Sequence, residues 1–429
     1  MTSAPPHLQF ASGAGDHLFL AAYGRLYDLP RGTRLDPLAA ETVALLDSLS
    51  LPGPGEESLV GIHVPTPQSL SLNVSASCNL ACTYCYAGQG GFGGRQAGAM
   101  EWETARGAVD RLIESADRER PITIGFLGGE PFLNRPLIHR IVHHAAARGR
   151  CEGLDVRFSV TTNGTLLREE DHRLLRAHPF AVTVSLDGNR DAHDRNRPNR
   201  GGGSSWAAAM RGVHPLLEEP GFARIAARAT VCRDDLDLAG LFDGLAEAGF
   251  KEIGLSPLRV SPSARTGLRD EDWPRYLAAL IGLARRELNA AAAGRPLRIT
   301  NLAVALKQIH RGAASPYPCG AGGGYFSVGA DGSWYACHRA VGEEAYRLGD
   351  NGGLDAVART AFLEARHVDA QTDCRTCWAR YLCSGGCHHE VAARTASSCD
   401  FVRGWLQFCL TAYCELGRGK GEEGEALDA

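Results

Sequence analysis

The chain has 429 residues, 44% of them hydrophobic and 22% charged, with a formal net charge of −4. That balance excludes a disordered or fibrous chain and gives no electrostatic reason to expect a nucleic-acid partner. No run of about 18 apolar residues suggests a membrane span, and the opening MTSAPPHLQF lacks the basic and apolar regions of a signal peptide. A cytoplasmic location is the expectation.

In chain order, short alternating strands are predicted at Leu8–Phe10, His17–Ala22 and Arg25–Asp28, then a helix from Leu38 to Leu49 and a linker at Pro52–Glu57. Between about residues 70 and 260, β-branched runs alternate with helical patterns. The strands expected are Leu70–Ser77, Ile122–Leu127, Val156–Thr162, Val182–Leu186, Arg224–Cys232 and Glu252–Ser256. The helices between them are Trp102–Ser115, Leu137–Ala147, Glu169–His178, Trp206–Glu218 and Leu238–Ala248. Such alternation predicts an α/β fold of parallel βαβ units, wound right-handed into an open or partly closed barrel with its chemistry at the strand carboxyl ends. One long helix, Asp270–Ala293, and another, Leu302–Arg311, bridge to a glycine- and cysteine-rich region from Pro318 to Cys414. The final GRGKGEEGEALDA reads as a disordered tail.

The chain contains 14 cysteines against 3 methionines. It is far too long to need disulfide staples, so clustered reduced thiols point to metal, either zinc or iron–sulfur. Directly after the first barrel strand stands Cys78-x3-Cys82-x2-Cys85. Three thiolates can hold three irons of a 4Fe–4S cube and leave the fourth iron open, whereas a structural zinc site wants a fourth His or Cys. With Tyr84 before the last cysteine, the motif resembles the signature of the radical S-adenosylmethionine superfamily. The resemblance implies a partial (β/α)6 TIM-like barrel, and chelation of the open iron by the amino and carboxylate groups of S-adenosyl-L-methionine. Reductive cleavage would then yield a 5′-deoxyadenosyl radical that abstracts hydrogen.

Further strings match the same superfamily. Gly128-Gly129-Glu130 resembles the segment that receives the methionine ammonium, with Glu130 as acceptor; alone it is a turn signal. Ser185, in Ser185-Leu186-Asp187-Gly188, and Arg197 match positions that hold the ribose and carboxylate of the cofactor in peptide-modifying members. A solvated loop arginine is the alternative for Arg197. Tyr84, Gly128, Gly129, Glu130, Ser185 and Arg197 are thus the expected cofactor contacts. Thr162-Asn163-Gly164 matches a common family string, or is simply a turn closing a strand.

The C-terminal thiols run Cys319, Cys337, Cys374, Cys377, Cys383, Cys387 and Cys399. The pattern resembles the SPASM domain of radical enzymes that mature peptides, which implies two auxiliary 4Fe–4S clusters and three in all. Cys374, Cys377, Cys383 and Cys399 would complete the distal one, and Cys319, Cys337 and Cys387 would hold the nearer. Some relatives place another cysteine shortly after the first, but Gly320–Ala336 contains none. The nearer cluster then keeps an open iron or recruits another ligand. Taken alone, Cys374, Cys377, Cys383 and Cys387 also suit zinc. His388 and His389 read as turn residues, Cys409 and Cys414 as packing thiols, and Cys151 and Cys232 as buried thiols.

The implied boundaries are 1–65 for an N-terminal extension, 66–265 for the barrel, 266–315 for the helical bridge, 316–414 for SPASM and 415–429 for the tail. The extension reads either as a reduced peptide-recognition element or as a barrel-capping segment. The Asn196–Ser205 loop is either a mobile cover or a plain connection. Asp331–Arg339 and Cys377–Cys383 resemble maturases that install thioether crosslinks in ribosomally synthesised precursor peptides. Such enzymes imply an external electron donor such as flavodoxin or ferredoxin. A formylglycine-forming sulfatase maturase uses the same apparatus, and a non-catalytic iron–sulfur carrier or zinc scaffold is the reading from another class. No general base stands out.

Overall fold

The computed structural model describes residues 4–52, 61–92, 98–261, 266–312 and 314–418. The linker expected at Pro52–Glu57 lies outside them after Pro52, as does the tail after Arg418. The chain divides into two compact units, Met1–His63 with Asn301–Cys319 and Glu364–Ala429, and Val64–Thr300 with Gly320–Leu363.

In the first unit, β1 (His7–Ser12), β2 (Gly15–Leu20) and β3 (Arg25–Leu29) form an antiparallel sheet in that order, with His7 opposite Leu20 and Asp16 opposite Leu29. Helix α1 (Ala40–Leu49) closes a small core in which Leu46 meets Leu18 and Leu20.

The second unit follows the expected alternation: β4 (Ser69–Ser75), α2 (Trp102–Ser115), β5 (Ile122–Gly128), α3 (Arg135–Glu152), β6 (Val156–Thr162), α4 (Glu169–Ala177) and β7 (Phe180–Ser185). Next come α5 (Arg190–Asn196), α6 (Ser205–Glu218), β8 (Arg224–Val231), α7 (Leu238–Glu247), β9 (Glu252–Pro257) and α8 (Trp273–Ala292). Strands β4 to β9 are parallel neighbours in sequence order. The strand pattern explains this directly. Leu70, Leu72 and Val74 are fully buried on one face of β4, while Ser71, Asn73 and Ser75 share the other. On the same face as Ser71, the neighbouring strands carry Ser159, Thr161, Thr183, Ser185 and Thr230, all half-buried. A closed barrel fills that space with branched aliphatics. Here small hydroxyl side chains line it instead.

The sheet also extends where sequence periodicity shows nothing. After α9 (Thr300–His310), β10 (Tyr325–Val328) pairs parallel with β4, and β11 (Trp334–Tyr335), β12 (Arg347–Asp350) and β13 (Gly353–Leu354) continue antiparallel. The Ser71 hydroxyl exchanges a hydrogen bond with Tyr325 at 2.7 Å and donates to Ser327 at 3.0 Å. The helix expected from Asp270 begins instead with a 3₁₀ turn, Asp270–Asp272, because Pro274 sits in the first turn of α8 and Asp272 caps through Arg269.

The remaining helices are α10 (Ala356–Arg366), α11 (Arg380–Cys383) and α12 (Ala396–Arg418). Within the first unit, Ala21 shares a core with Val368 and Tyr381, Cys374 packs against it, and Phe19 meets Trp378 edge-on at 6.2 Å. The N-terminal strands therefore share their core with the cysteine-rich segment. Among the described residues no helix is long and apolar enough to cross a membrane.

Candidate active site

Cys78, Cys82 and Cys85 follow the carboxyl end of β4, and all three are half-buried. N–H donors surround their sulfurs: Leu80 N (3.4 Å) and Asn163 Nδ2 (3.8 Å) on Cys78, Arg197 Nη1 (3.8 Å) on Cys82, and Gln89 N (3.2 Å) on Cys85. Burial pushes the Cys78 thiol up to about 11; the Leu80 N–H opposes this, and negative charge on Glu130, Cys82 and Cys85 adds to it. Burial also raises Cys82, against the pull of Arg197. Burial thus favours the neutral thiols of Cys78 and Cys82 until a cation binds, and the N–H donors suit cluster sulfurs. Among the described residues, no three His, Cys, Asp or Glu side chains are grouped to hold a metal ion.

The loop is tied down on both sides. Ala81 N donates to Pro198 O, Thr83 N to Asn196 O and Arg200 N to Asn79 O, at 2.9, 2.9 and 3.2 Å. The first half of the Asn196–Ser205 loop is therefore part of the cluster loop's support. Its glycines, 201–203, are exposed, and Ser204 caps α6.

Gly128 and Gly129 serve the protein's own backbone. A Cβ on Gly129 would lie 2.1 Å from the Ser77 carbonyl oxygen, and one on Gly128, at φ +138°, 2.4 Å from the Ser75 oxygen. We expect Gly129→Ala to displace the cluster loop, destabilising the protein by about 3 kcal/mol or more. Thermal melting and iron content after reconstitution check this, the variant holding less iron than wild type. Glu130 is fully buried and caps the end of β6, accepting from Thr162 Oγ1 (2.7 Å), Asn163 N (2.8 Å) and Phe132 N (3.2 Å). Burial raises its carboxyl to about 7, against these three bonds and Arg135. Asn163 passes the connection on, donating to Asn79 Oδ1 at 2.9 Å. The Thr162-Asn163-Gly164 string thus joins Glu130 to the cluster loop.

On the far side, Tyr84 donates to Asp187 Oδ2 at 2.5 Å, and Arg197 Nε lies 3.1 Å from Asp187 Oδ1. The Arg197 guanidinium stands 5.3 Å from the Tyr84 ring centroid. All three side chains are buried. Asp187 also accepts from Thr230 N at 3.0 Å, and its own N–H donates to His193 Nδ1 at 3.3 Å. Burial lowers His193 to about 4, so it is neutral. Sequence reasoning gave Asp187 no role, although it lies in the quoted Ser185–Gly188 string. Ser185 ends β7 half-buried, on the polar face of the sheet.

The other cysteines divide by unit. In the first, Cys374 lies within electrostatic range of Cys377 and Cys399, Arg394 Nη1 donates to its sulfur at 3.4 Å, and Arg403 hydrogen-bonds Cys377. Cys383 and Cys387 are half-buried and Cys319 is exposed in this unit. In the second, Arg339 N donates to Cys337 Sγ at 3.4 Å, and the Arg339 guanidinium covers the ring of Tyr86, next to Cys85, at 5.1 Å. His388 is buried and accepts from Arg366 Nε at 3.0 Å, while Cys409 is buried within α12. Cys151, expected to be buried, is exposed: it sits in the last turn of α3, off the face formed by Ile138, Ile141, Val142 and Ala145. Cys232 is buried as expected, in a cluster with Tyr84 and Leu258 against which Cys82 packs.

The family model of the radical SAM superfamily matches residues 72–220. The serine-type anaerobic sulfatase-maturating enzyme of Klebsiella aerogenes is 27% identical over 334 residues, covering 75% of this chain and 79% of that protein. Native anSMEcpe with bound AdoMet superposes with a TM-score of 0.68 at 21% identity, over 82% of this chain and 100% of that one. SuiB of Streptococcus suis bound to precursor peptide SuiA gives 0.53 at 13% identity, over 92% and 98%. These last two are likenesses of fold. The superfamily match runs from β4 to α6 across the three-thiol loop, so residues 72–220 are a radical S-adenosylmethionine segment, and the protein is an enzyme similar to ones that work with a 4Fe–4S cluster and S-adenosylmethionine.

Proposed function

We propose that this enzyme modifies a ribosomally made peptide, removing hydrogen from one residue and joining the resulting carbon to a second, in a thioether or carbon–carbon crosslink. Seven cysteines from Cys319 to Cys399, with none between Gly320 and Ala336, carry the reading. Two fully ligated cubes need eight thiolates, and a vacant iron position suits the thiolate of a substrate cysteine. Cys78, Cys82 and Cys85 would hold the first cluster, at which S-adenosylmethionine supplies a hydrogen-abstracting radical. Cys374, Cys377, Cys383 and Cys399 would hold the distal auxiliary cluster, and Cys319, Cys337 and Cys387 the nearer. Residues 316–414 would thus act as a SPASM domain. A flavodoxin- or ferredoxin-like donor would supply one electron; the abstracted hydrogen would leave on 5′-deoxyadenosine, and the second residue would release its proton to solvent while an auxiliary cluster took up the remaining electron. Ser185, Glu130 and Tyr84 are the contacts we assign to the cofactor.

A second reading, formylglycine formation on a sulfatase, is favoured by the sulfatase-maturating names of relatives at 24–29% identity. Aldehyde capture and thiol alkylation separate them, because formylglycine made from serine is also two hydrogens lighter. A crosslinked peptide is two hydrogens lighter and resists thiol alkylation at the joined cysteine. Formylglycine from cysteine loses sulfur and reacts as an aldehyde. An aldehyde product with no crosslink would overturn the first reading.

A further inference from the structure

We infer that the buried Arg197–Asp187 pair sets the reduction potential of the first cluster, Arg197 supplying the positive charge beside Cys82 and Asp187 limiting it. The inference rests on Cys82 as a ligand of that cluster.

The geometry places the two charges unequally. Arg197 Nη1 is 3.8 Å from Cys82 Sγ, whereas Asp187 meets Arg197 at Nε, 3.1 Å away. Both side chains are shielded from water, at 8% and 2% exposure. Coulomb interactions there are far stronger than at a surface. Reduction adds a negative charge to the cluster, so a cation touching a ligand sulfur favours the reduced state, and an anion behind it offsets that effect. Three contacts hold Asp187 where it can act: Tyr84 OH, Thr230 N and Arg197. Tyr84 belongs to the cluster loop itself, so Asp187 also fixes the loop against β8. Neutral His193, accepting from the Asp187 N–H, adds no charge of its own. Asp187 and Arg197 are on this reading positioning residues, and they act through Cys82 and Tyr84.

The test is an EPR-monitored redox titration of the reconstituted full chain with dithionite. The first cluster is identified by the change its signal undergoes when S-adenosylmethionine is added. Asp187→Asn leaves Arg197 uncompensated and should raise the potential; Arg197→Gln leaves Asp187 uncompensated and should lower it. Each shift should change the reduction equilibrium about tenfold, which is about 59 mV for one electron. Arg197→Lys keeps the charge and should stay near wild type, whereas the double variant Asp187→Asn/Arg197→Gln should lie between wild type and Arg197→Gln. Shifts of the same sign in the two single variants, or wild-type potentials in both, overturn the inference. If Asp187→Asn loses the cluster, the double variant decides: a cluster restored at a potential between wild type and Arg197→Gln supports the pair, and a cluster still absent overturns it. A Cys82→Ala protein that kept the S-adenosylmethionine-responsive signal would instead remove the footing in the first cluster.

Discussion

Cys82→Ala abolishes S-adenosylmethionine cleavage on this account and leaves the rest of the molecule folded. Cys82 is one of three thiols after β4 and accepts from Arg197 Nη1 at 3.8 Å. Alanine removes one iron ligand and leaves the loop's backbone anchors to Pro198 and Asn196 in place. Two thiolates do not hold a cube that already lacks a fourth protein ligand. With the three clusters proposed above, iron should fall from about twelve to about eight atoms per chain. The auxiliary signals stay, and 5′-deoxyadenosine falls to background. Retained cleavage would move the radical site elsewhere.

Glu130→Ala should be the most damaging change outside the cysteines. It strips the acceptor from Thr162 Oγ1, Asn163 N and Phe132 N in a fully buried position. Unpaired buried donors of this kind cost about 3–5 kcal/mol together, which is a fall in Tm of roughly 10 °C. The wild type should also show a pH signature. Burial lifts the Glu130 carboxyl from 4.5 to about 7, so the native state holds a proton that the unfolded chain has released. Its contribution to ligand-free stability therefore falls as pH rises between those values. Cofactor binding runs the other way. An ammonium at Glu130 needs the carboxylate, so S-adenosylmethionine affinity should weaken about tenfold per unit as pH drops below 7. In Glu130→Gln the affinity should be lower and its pH profile flat, as calorimetry on the cluster-loaded protein would show.

Much of this was legible because it is local. The Cys78, Cys82 and Cys85 spacing is covalent, and helix α2 falls at Trp102–Ser115 as its periodicity predicts. Strands β4 to β9 announce themselves as aliphatic runs buried by flanking helices. The helix α5, of 7 residues, and strands β10 to β13, of 2–4, are too short to carry a period. Strand β10 exists because it pairs with β4, and its Tyr325 is 254 residues from Ser71. Asp187 was invisible for the same reason. Its partner Tyr84 is 103 residues away, and only the barrel brings them together. The glycines before Glu130 were expected for cofactor access. Their immediate neighbours are the carbonyls of Ser75 and Ser77, a long-range contact that no turn rule contains.

The most direct measurement is anaerobic incubation of the reconstituted wild-type chain with S-adenosylmethionine and dithionite, followed by chromatography. The account predicts 5′-deoxyadenosine and methionine in equal amounts, only when reductant is present. Intact clusters that bind S-adenosylmethionine and yield no 5′-deoxyadenosine would contradict it.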